Sequence, residues 1–257
     1  MNKGMKDIQN LTDERQIYLN EVGIRDFKYP VEIKSKDGSW FATPAVMSLR
    51  VDLPETQKGT HMSRFVEILQ EYAKLDLHNI RIILEVIRER LGAGNSYFSM
   101  EFDYFIEKQS PVTGRPSLMD VHVGIDAKLE GEDFSLRHTV NTPATTLCPC
   151  SKEISEYSAH NQRANIIITY ETNRFIWIED IVRIAEEAAS SPVYSLLKRP
   201  DEKYVTEYAY DHPKFVEDVC RDVKLRLDEI ADIRSYTIEV MSQESIHNHR
   251  AYAKVIK

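Results

Sequence analysis

Alternating apolar and polar side chains predict β-strands in the first half of the chain. The alternation is cleanest in residues 117–130, where every second residue from position 121 to position 129 is apolar. Residues 95–109 also have the pattern of an extended segment. Residues 29–54 read as two strands joined at the Asp-Gly dipeptide 37–38, which favours a hairpin turn. A predicted hairpin therefore opens the first half of the chain, and another closes it.

Between these hairpins, apolar residues recur three or four positions apart, a spacing typical of amphipathic helices. The first such stretch contains Phe65, Ile68, Leu69 and Tyr72. The second contains Ile80, Ile83, Leu84, Ile87 and Leu91. We expect the second helix to end at Gly92, because glycine is the usual residue at a helix C-terminus. The first half therefore has the predicted order ββααββ.

The same order of elements is predicted again after residue 131. Residues 134–147 and 162–172 read as strands, 177–191 and 212–232 as helices, and 235–245 and 248–257 as strands. Pro213 fits the first turn of the second of these helices. Residues 198–208, between the two helices, read as a polar loop.

These elements predict an α+β fold of two ββααββ modules. The modules are residues 29–131 and 132–257, and an N-terminal arm of residues 1–28 precedes them. A four-stranded antiparallel sheet with both helices on one face leaves its other face and two edges uncovered. We therefore expect an oligomer in which sheets pair side by side into a barrel, with ligand sites where modules meet.

Charge and composition narrow the classes of function. A formal net charge of −8 argues against a nucleic-acid partner. Hydrophobic residues make up 42% of the 257 residues, as in a globular protein, yet the apolar runs are far shorter than the roughly 18 to 20 residues that cross a bilayer. The first 24 residues lack the pattern of a secretory signal, and three cysteines do not suggest a disulfide framework. We expect a cytoplasmic protein without a membrane partner.

A cysteine pair and a histidine are the first candidates for chemistry. Cys148 and Cys150 flank Pro149 in a segment rich in Thr, Ser and Lys, and His160 follows. Free cysteine commonly packs as a small hydrophobe, but a loop position would leave a thiolate accessible. A closed four-sulfur zinc site is disfavoured, because the sequence has no second cysteine pair. An open site for Zn²⁺, Fe²⁺ or Mn²⁺ is compatible with Cys148 and His160, with Glu202 one of several candidate third ligands.

Two further groups of polar residues are candidates for catalysis or anion binding. His247, His249 and Arg250 lie at a predicted strand junction near the end of the sequence. They read either as a solvated polar turn or as the source of a general acid/base histidine, because imidazole takes and returns protons near neutral pH. His61 and Arg64 stand at the start of the first predicted helix, where exposed N–H groups favour anions such as phosphate.

Three separated segments together resemble the type I-B GTP cyclohydrolase family. They are KGTHMSRF at 58–65, NTPATTLCPCSKEIS with AHNQR within 141–163, and SQESIHNHRAYA at 242–253. The resemblance covers essentially the whole chain, and it implies a tunnelling fold of two ββααββ modules assembled as a homotetramer. It also implies a hydrolase that converts GTP and water to 7,8-dihydroneopterin triphosphate and formate. That reaction opens tetrahydrofolate biosynthesis and would use one divalent metal ion per active site.

The resemblance also implies roles for individual residues. It places the metal ligands at Cys148, His160 and Glu202, with Cys148 counted as a catalytic residue as well. It assigns the catalytic acid/base role to His247. It makes Glu217 the carboxylate that anchors the guanine ring, through hydrogen bonds from N1 and the 2-amino group.

The triphosphate of such a substrate would need cations in a chain of negative net charge. The candidates are His61, Arg64, Lys152 and Arg250. A separate hypothesis assigns Cys150 a redox role, as the partner of Cys148 in a strained disulfide that would remove the thiolate from the metal. Two alternatives to the cyclohydrolase stay open, namely a tunnelling-fold enzyme acting on another purine or pterin, and a thiol-based redox or metal-binding oligomer.

Overall fold

The computed structural model describes residues 7–9 and 11–257. Its strands are β1 (Leu19–Lys34), β2 (Trp40–Leu53), β3 (Lys74–Leu75), β4 (Asn95–Gln109), β5 (Pro116–Glu130), β6 (Asp133–Leu147), β7 (Asn161–Thr172), β8 (Ser191–Pro192), β9 (Ile233–Gln243) and β10 (Arg250–Ile256). Its helices are α1 (Met62–Glu71), α2 (Ile80–Leu91), α3 (Pro149–Ile154), α4 (Ile178–Ala188), α5 (Arg199–Asp211) and α6 (Val216–Asp228), with a 3₁₀ turn at Leu77–Asn79. None of the helices in this part of the chain is long and apolar enough to span a lipid bilayer.

Long antiparallel strands and covering helices make this an α+β fold, as predicted. β1 and β2 form a long hairpin, with Lys34 opposite Trp40 at its turn. In β5, Val121, Val123 and Ile125 are buried, while the residues between them are more exposed. The two-residue period read from the sequence is thus the burial period of the strand.

The first of two compact units comprises the described residues up to Phe102 together with Gly124–Leu136. Within it, neighbouring strands follow the order β3-β1-β2-β4. α1 and α2 pack against each other, and they also contact β1 and β2 respectively. α2 ends as predicted at Gly92, whose φ of +64° is left-handed and whose amide donates to the Glu89 carbonyl.

The second unit comprises Asp103–Val123 and Arg137–Lys257. Its strands include the series β6-β7-β9-β10, and β8 pairs with β6. α6 packs against α4 and lies on β9 and β10. The segment that carries Cys148 and Cys150 directly follows β6, which ends at Leu147.

β1 begins at Leu19, well inside the segment assigned to the arm and earlier than the expected start at Tyr29. The alternating pattern is weak there because the pairing with β2 shifts register twice, just before Gly23 (between Leu19 and Val22) and at Asp26 (between Ile24 and Phe27). Gly23 and Asp26 both have positive φ, +157° and +53°. A Cβ at Gly23 would stand 2.1 Å from the Leu49 carbonyl oxygen, so this close approach of β1 to β2 requires glycine.

The expected polar loop at 198–208 is wrong, because these residues form most of α5. Asp201 starts this helix by accepting a hydrogen bond from the Lys198 amide at 2.9 Å. The placement of Pro213 in a first turn is also wrong, since α6 begins at Val216. Three helices rather than two therefore separate β7 from β9. The module boundaries at 28/29 and 131/132 stay predictions.

Candidate active site

Cys148 lies between the end of β6 and the short helix α3. It is the N-cap of α3, where its thiol accepts a hydrogen bond from the Ser151 amide at 3.4 Å. Pro149 follows in the first turn, where its missing N–H has no helical role. The Cys148 amide donates to the carbonyl of His160 at 3.1 Å. This backbone bond closes the segment between β6 and β7 and places the cysteine beside the histidine.

His160 directly precedes β7 and is half-buried. Its Nδ1 lies 2.8 Å from Oε1 of Gln162, whose Nε2 donates to the Thr146 hydroxyl at 3.2 Å. Because an amide oxygen only accepts, this arrangement assigns the imidazole proton to Nδ1. Nε2 then keeps a free lone pair, as in histidines that bind metals through Nε2.

The start of α6 forms another wall of the site. The Lys214 amide donates to the carbonyl of Leu147 at 3.0 Å, so the segment before α6 is bound to the end of β6. The Phe215 amide donates to Oδ2 of Asp218 at 3.1 Å, which closes the first turn of the helix. Glu217 lies in that first turn, where the helix dipole favours a carboxylate.

The turn between β9 and β10 supplies two histidines. His247 and His249 are both exposed, and their rings stack with centroids 5.0 Å apart and planes 17° apart. Ser242, the last buried residue of β9, donates its hydroxyl to the Glu244 carboxylate at the start of the turn. The predicted polar turn is therefore present, and its imidazole rings face a neighbouring cavity.

These elements enclose a cavity of about 230 Å³, here called the Cys148 cavity. The described residues that line it are Thr146, Cys148, His160, Gln162, Lys214, Phe215, Val216, Glu217, Ser242, Glu244, His247, His249 and Ala251. It therefore brings together Cys148, His160, Glu217 and His247, which lie far apart in the sequence. A thiol, an imidazole with a free nitrogen, a second imidazole and a carboxylate can there bind, orient and exchange protons with one small polar molecule.

Glu202, the third predicted metal ligand, does not line this cavity. It lies exposed in the first turn of α5, where its amide donates to the Lys198 carbonyl at 2.9 Å. Across residues 7–9 and 11–257, no three His, Cys, Asp or Glu side chains come close enough together to form a metal site. The assignment of Glu202 as a ligand therefore stays a prediction.

His61 and Arg64 line a second cavity, of about 510 Å³, in the first unit. Its lining residues are Thr56, Gln57, Thr60, His61, Arg64, Glu89, Arg90, Leu91 and Gly92. Nη1 of Arg64 donates to the Arg90 carbonyl at 3.0 Å, and Nε2 of His61 lies 3.4 Å from Oδ2 of Asp7. The two predicted phosphate ligands thus share one cavity, and their role stays a prediction.

Lys152, Arg250 and Cys150 are close in sequence to residues of the Cys148 cavity but do not line it. Nζ of Lys152 donates to the Tyr210 carbonyl at 2.5 Å and lies 4.0 Å from the centre of the Tyr210 ring. Nε of Arg250 donates to Oε1 of Gln243 at 3.1 Å. The Cys150 thiol is exposed and free. The substrate and redox roles of these residues also stay predictions.

Residues 5–253 match the family model described as type I GTP cyclohydrolase FolE2. The chain belongs to this family. GTP cyclohydrolase FolE2 of Fervidobacterium nodosum is 48% identical over 250 residues, which cover 97% of this chain and 96% of that protein. GTP cyclohydrolase FolE2 of Dictyoglomus thermophilum is 49% identical over 253 residues, or 98% of each chain. The resemblance recognised in three sequence segments is thus confirmed.

Among solved structures, uricases have the same fold as this FolE2 family member. The uricase of Bacillus fastidious matches with a TM-score of 0.55 and 9% identity, over 95% of this chain and 94% of that one. The uricase of Arthrobacter globiformis gives 0.54 and 6% identity, over 92% of both chains. At such low identity the likeness is one of fold alone.

Sequence reasoning missed several walls of the site in this FolE2 family member. Lys214 and Phe215 line the Cys148 cavity, yet nothing in their residue types marks them as functional. Gln162 was also missed, although it orients His160. The only available signal was their position in the sequence, because Lys214 and Phe215 directly precede α6, whose first turn carries Glu217.

Proposed function

We propose that this protein is a GTP cyclohydrolase that converts GTP and water to 7,8-dihydroneopterin triphosphate and formate. This reaction would be the first step of tetrahydrofolate biosynthesis. Membership of the FolE2 family supports the substrate. The observation that carries the proposal is the Cys148 cavity, where Cys148, His160, Glu217 and His247 meet.

Glu217 would select guanine over adenine. Its carboxylate is exposed in the cavity wall, within the first turn of α6, and it can only accept hydrogen bonds when ionised. Guanine presents two neighbouring donors, N1–H and the 2-amino group, to such a carboxylate. Adenine has an unprotonated N1 and no 2-amino group, so the same pairing would leave the carboxylate without donors.

Two side chains of the cavity are of the types that bind divalent metal ions. A soft thiol at Cys148 and an imidazole Nε2 at His160 suit Zn²⁺, Fe²⁺ or Mn²⁺. The hydrogen bond that Nδ1 of His160 donates to Gln162 leaves Nε2 free, which supports the assignment of His160 as a ligand. We propose Glu202 as the third ligand, on the family resemblance alone. When bound, the ion would supply the activation of water that addition to a purine carbon requires.

His247 would move protons during ring opening. Release of carbon 8 as formate breaks two carbon–nitrogen bonds, and each leaving nitrogen must gain a proton. His247 lines the same cavity as Glu217, so its exposed imidazole can deliver a proton to a purine held there. Such acid/base catalysis typically contributes about 10² to 10⁴-fold to the rate.

The assembly proposed here is a homotetramer of tunnelling-fold subunits. Each chain would supply two ββααββ modules whose antiparallel sheets close into barrels with those of other copies. The fold likeness to uricases supports the tunnelling fold. His61, Arg64, Lys152 and Arg250 would provide the cations for the triphosphate.

The decisive experiment is incubation of metal-free protein with GTP and one divalent ion at a time, following formate and the fluorescence of the oxidised pterin. We expect formate with at least one of Zn²⁺, Mn²⁺ and Fe²⁺. Cys148→Ala and Glu202→Ala should lose bound metal and turnover together. His247→Ala should keep its metal and lose turnover. No formate with any of these ions would refute the proposed reaction, and metal release by His247→Ala would refute the division of roles.

Cys150 is proposed as a redox control of this site. Its exposed thiol lies two residues from Cys148. Peroxide would oxidise the two thiols to one disulfide and be reduced to two waters, which would remove the Cys148 thiolate from the metal. We expect peroxide to inactivate the wild type in a way that thiol treatment reverses. Equal and irreversible loss in the wild type and in Cys150→Ser would refute this role.

A further inference from the structure

Phe215 exposes an aromatic ring in a cavity whose other lining residues are mostly of polar types. The residue is 39% exposed and lines the Cys148 cavity together with Glu217. No other aromatic ring in residues 7–9 and 11–257 packs against it. Exposure of so large an apolar surface is unfavourable in water, and core packing does not account for it.

The backbone holds this ring at the cavity wall. The Lys214 amide is bound to the Leu147 carbonyl, and the Phe215 amide is bound to the Asp218 carboxylate. The next residue, Val216, is buried. Three consecutive residues are therefore fixed, so the ring can change its rotamer but cannot withdraw far from the cavity.

Glu217 lies two residues beyond Phe215 and lines the same cavity. A purine whose N1 edge meets Glu217 has to place one of its faces against a neighbouring wall. Apart from the histidine imidazoles, the other described residues lining this cavity offer polar or small aliphatic side chains, whereas Phe215 offers a flat ring. Aromatic rings gain from offset stacking with nucleobases.

We propose that Phe215 stacks on the purine ring of the substrate and fixes its plane while Glu217 fixes its edge. The assignment rests on the proposed function, since it takes a guanine nucleotide to be the occupant of the Cys148 cavity. It makes α6 and the two residues before it a single purine-binding element. Specificity and stacking would then come from the same helical turn.

The test measures the dissociation constant of GTP for metal-free full-length protein by calorimetry. Phe215→Ala should weaken binding about 10- to 100-fold, the range found when base-stacking residues are replaced by alanine. Phe215→Tyr should bind within about threefold of the wild type, because it keeps the ring. Phe215→Leu should fall between the two, since it keeps apolar surface without a flat face. Phe105→Ala is the matched control, because Phe105 is 38% exposed but does not line the cavity.

Inosine triphosphate, which lacks the 2-amino group, separates stacking from edge recognition. Phe215→Ala should lose the same factor for GTP and for inosine triphosphate, whereas Glu217→Gln should lose more for GTP. The thermal midpoint of Phe215→Ala should stay near that of the wild type. Unchanged GTP binding by Phe215→Ala would overturn the assignment, as would a loss matched by Phe215→Tyr. GTP binding that depends on Phe215 without any formate release would refute the proposed reaction and leave the stacking role intact.

Discussion

His138 lies on β6 and is only 1% exposed. Its Nδ1 is 2.8 Å from the Tyr170 hydroxyl, and its ring packs edge-on against Tyr170 and Phe175. Its Nε2 has no hydrogen-bond partner among the described residues. Burial lowers the pKa of His138 from its ordinary 6.5 to about 3. The folded protein therefore keeps this ring neutral in mild acid.

The sign of the effect follows from where the proton goes. As the pH falls below 6.5, the unfolded chain protonates His138 while the folded chain does not, so unfolding takes up a proton. The stabilisation is fully present above 6.5 and is lost progressively as the pH falls toward about 3. Between about pH 7.5 and about pH 5.5, this group alone should lower the free energy of unfolding by about 1.4 kcal/mol.

Urea denaturation of the wild type and of His138→Gln at these two pH values measures the effect. Glutamine cannot become charged, and its amide can still bond to Tyr170. All other groups titrate in both proteins, so the stability difference between them should change by about 1.4 kcal/mol in favour of the variant. His122→Gln is the matched control, because it replaces an exposed histidine of β5.

Equal losses in the wild type and in His138→Gln would refute the reasoning. The ring would then be protonated inside the folded protein or would open to water before global unfolding. A change in the His122→Gln control as large as that in His138→Gln would also show that burial is not the cause. Because β6 ends directly before Cys148, the same result also indicates how strongly the stability of the Cys148 cavity depends on acid pH.

Substitutions at three further sites test separate parts of the second unit. Lys108→Met should destabilise the protein by about 3 to 5 kcal/mol in urea denaturation, because it strips the partner from the largely buried Glu186 carboxylate, 2.5 Å away. Adding Glu186→Leu should restore most of that loss, since burial lowers the pKa of Lys108 and raises that of Glu186 despite their attraction. Asp201→Ala should lower the thermal midpoint by several degrees, because this fully buried carboxylate accepts four hydrogen bonds that fix the start of α5. Glu217→Gln should weaken GTP binding about 10- to 100-fold by calorimetry with little change in the thermal midpoint, because its carboxylate is exposed.

The strands and the apolar helices were predictable because burial itself imposes their period. β5 and β9 each bury every second residue over most of their length, and α2 buries Ile80, Ile83, Leu84, Ile87 and Leu91. Each of these patterns is visible in the sequence alone. Where one face of an element is buried, local sequence carries the information.

α5 could not be predicted in this way because it buries only Asp201 and Ala209. The hydrogen bonds of Asp201 to residues of another segment support it, as does the stacking of Tyr208 on Tyr204 and His212 along one face. A helix that buries an aspartate and one alanine has no apolar stripe from which it could be predicted. Partners that lie far away in the sequence decide such an element.

The candidate site also has some residues whose proximity follows from local sequence and others whose proximity depends on distant segments. Cys148 and His160 share one closed segment, so their proximity follows from a local motif. Glu217 and His247 reach the same cavity through α6 and the β9–β10 turn, which only the family resemblance indicated beforehand. Phe215 was missed because its position depends on a backbone bond to the end of β6, made by the preceding residue.

One sulfur atom at position 148 caps a helix and also faces the cavity. Serine there would cap α3 at least as well, since its hydroxyl is a preferred N-cap acceptor, but it would replace a soft donor with a hard one. Screens of variant libraries that select for expression or solubility would pass this change unnoticed. The effect of such a substitution at position 148 would be detected only in assays of metal binding or turnover.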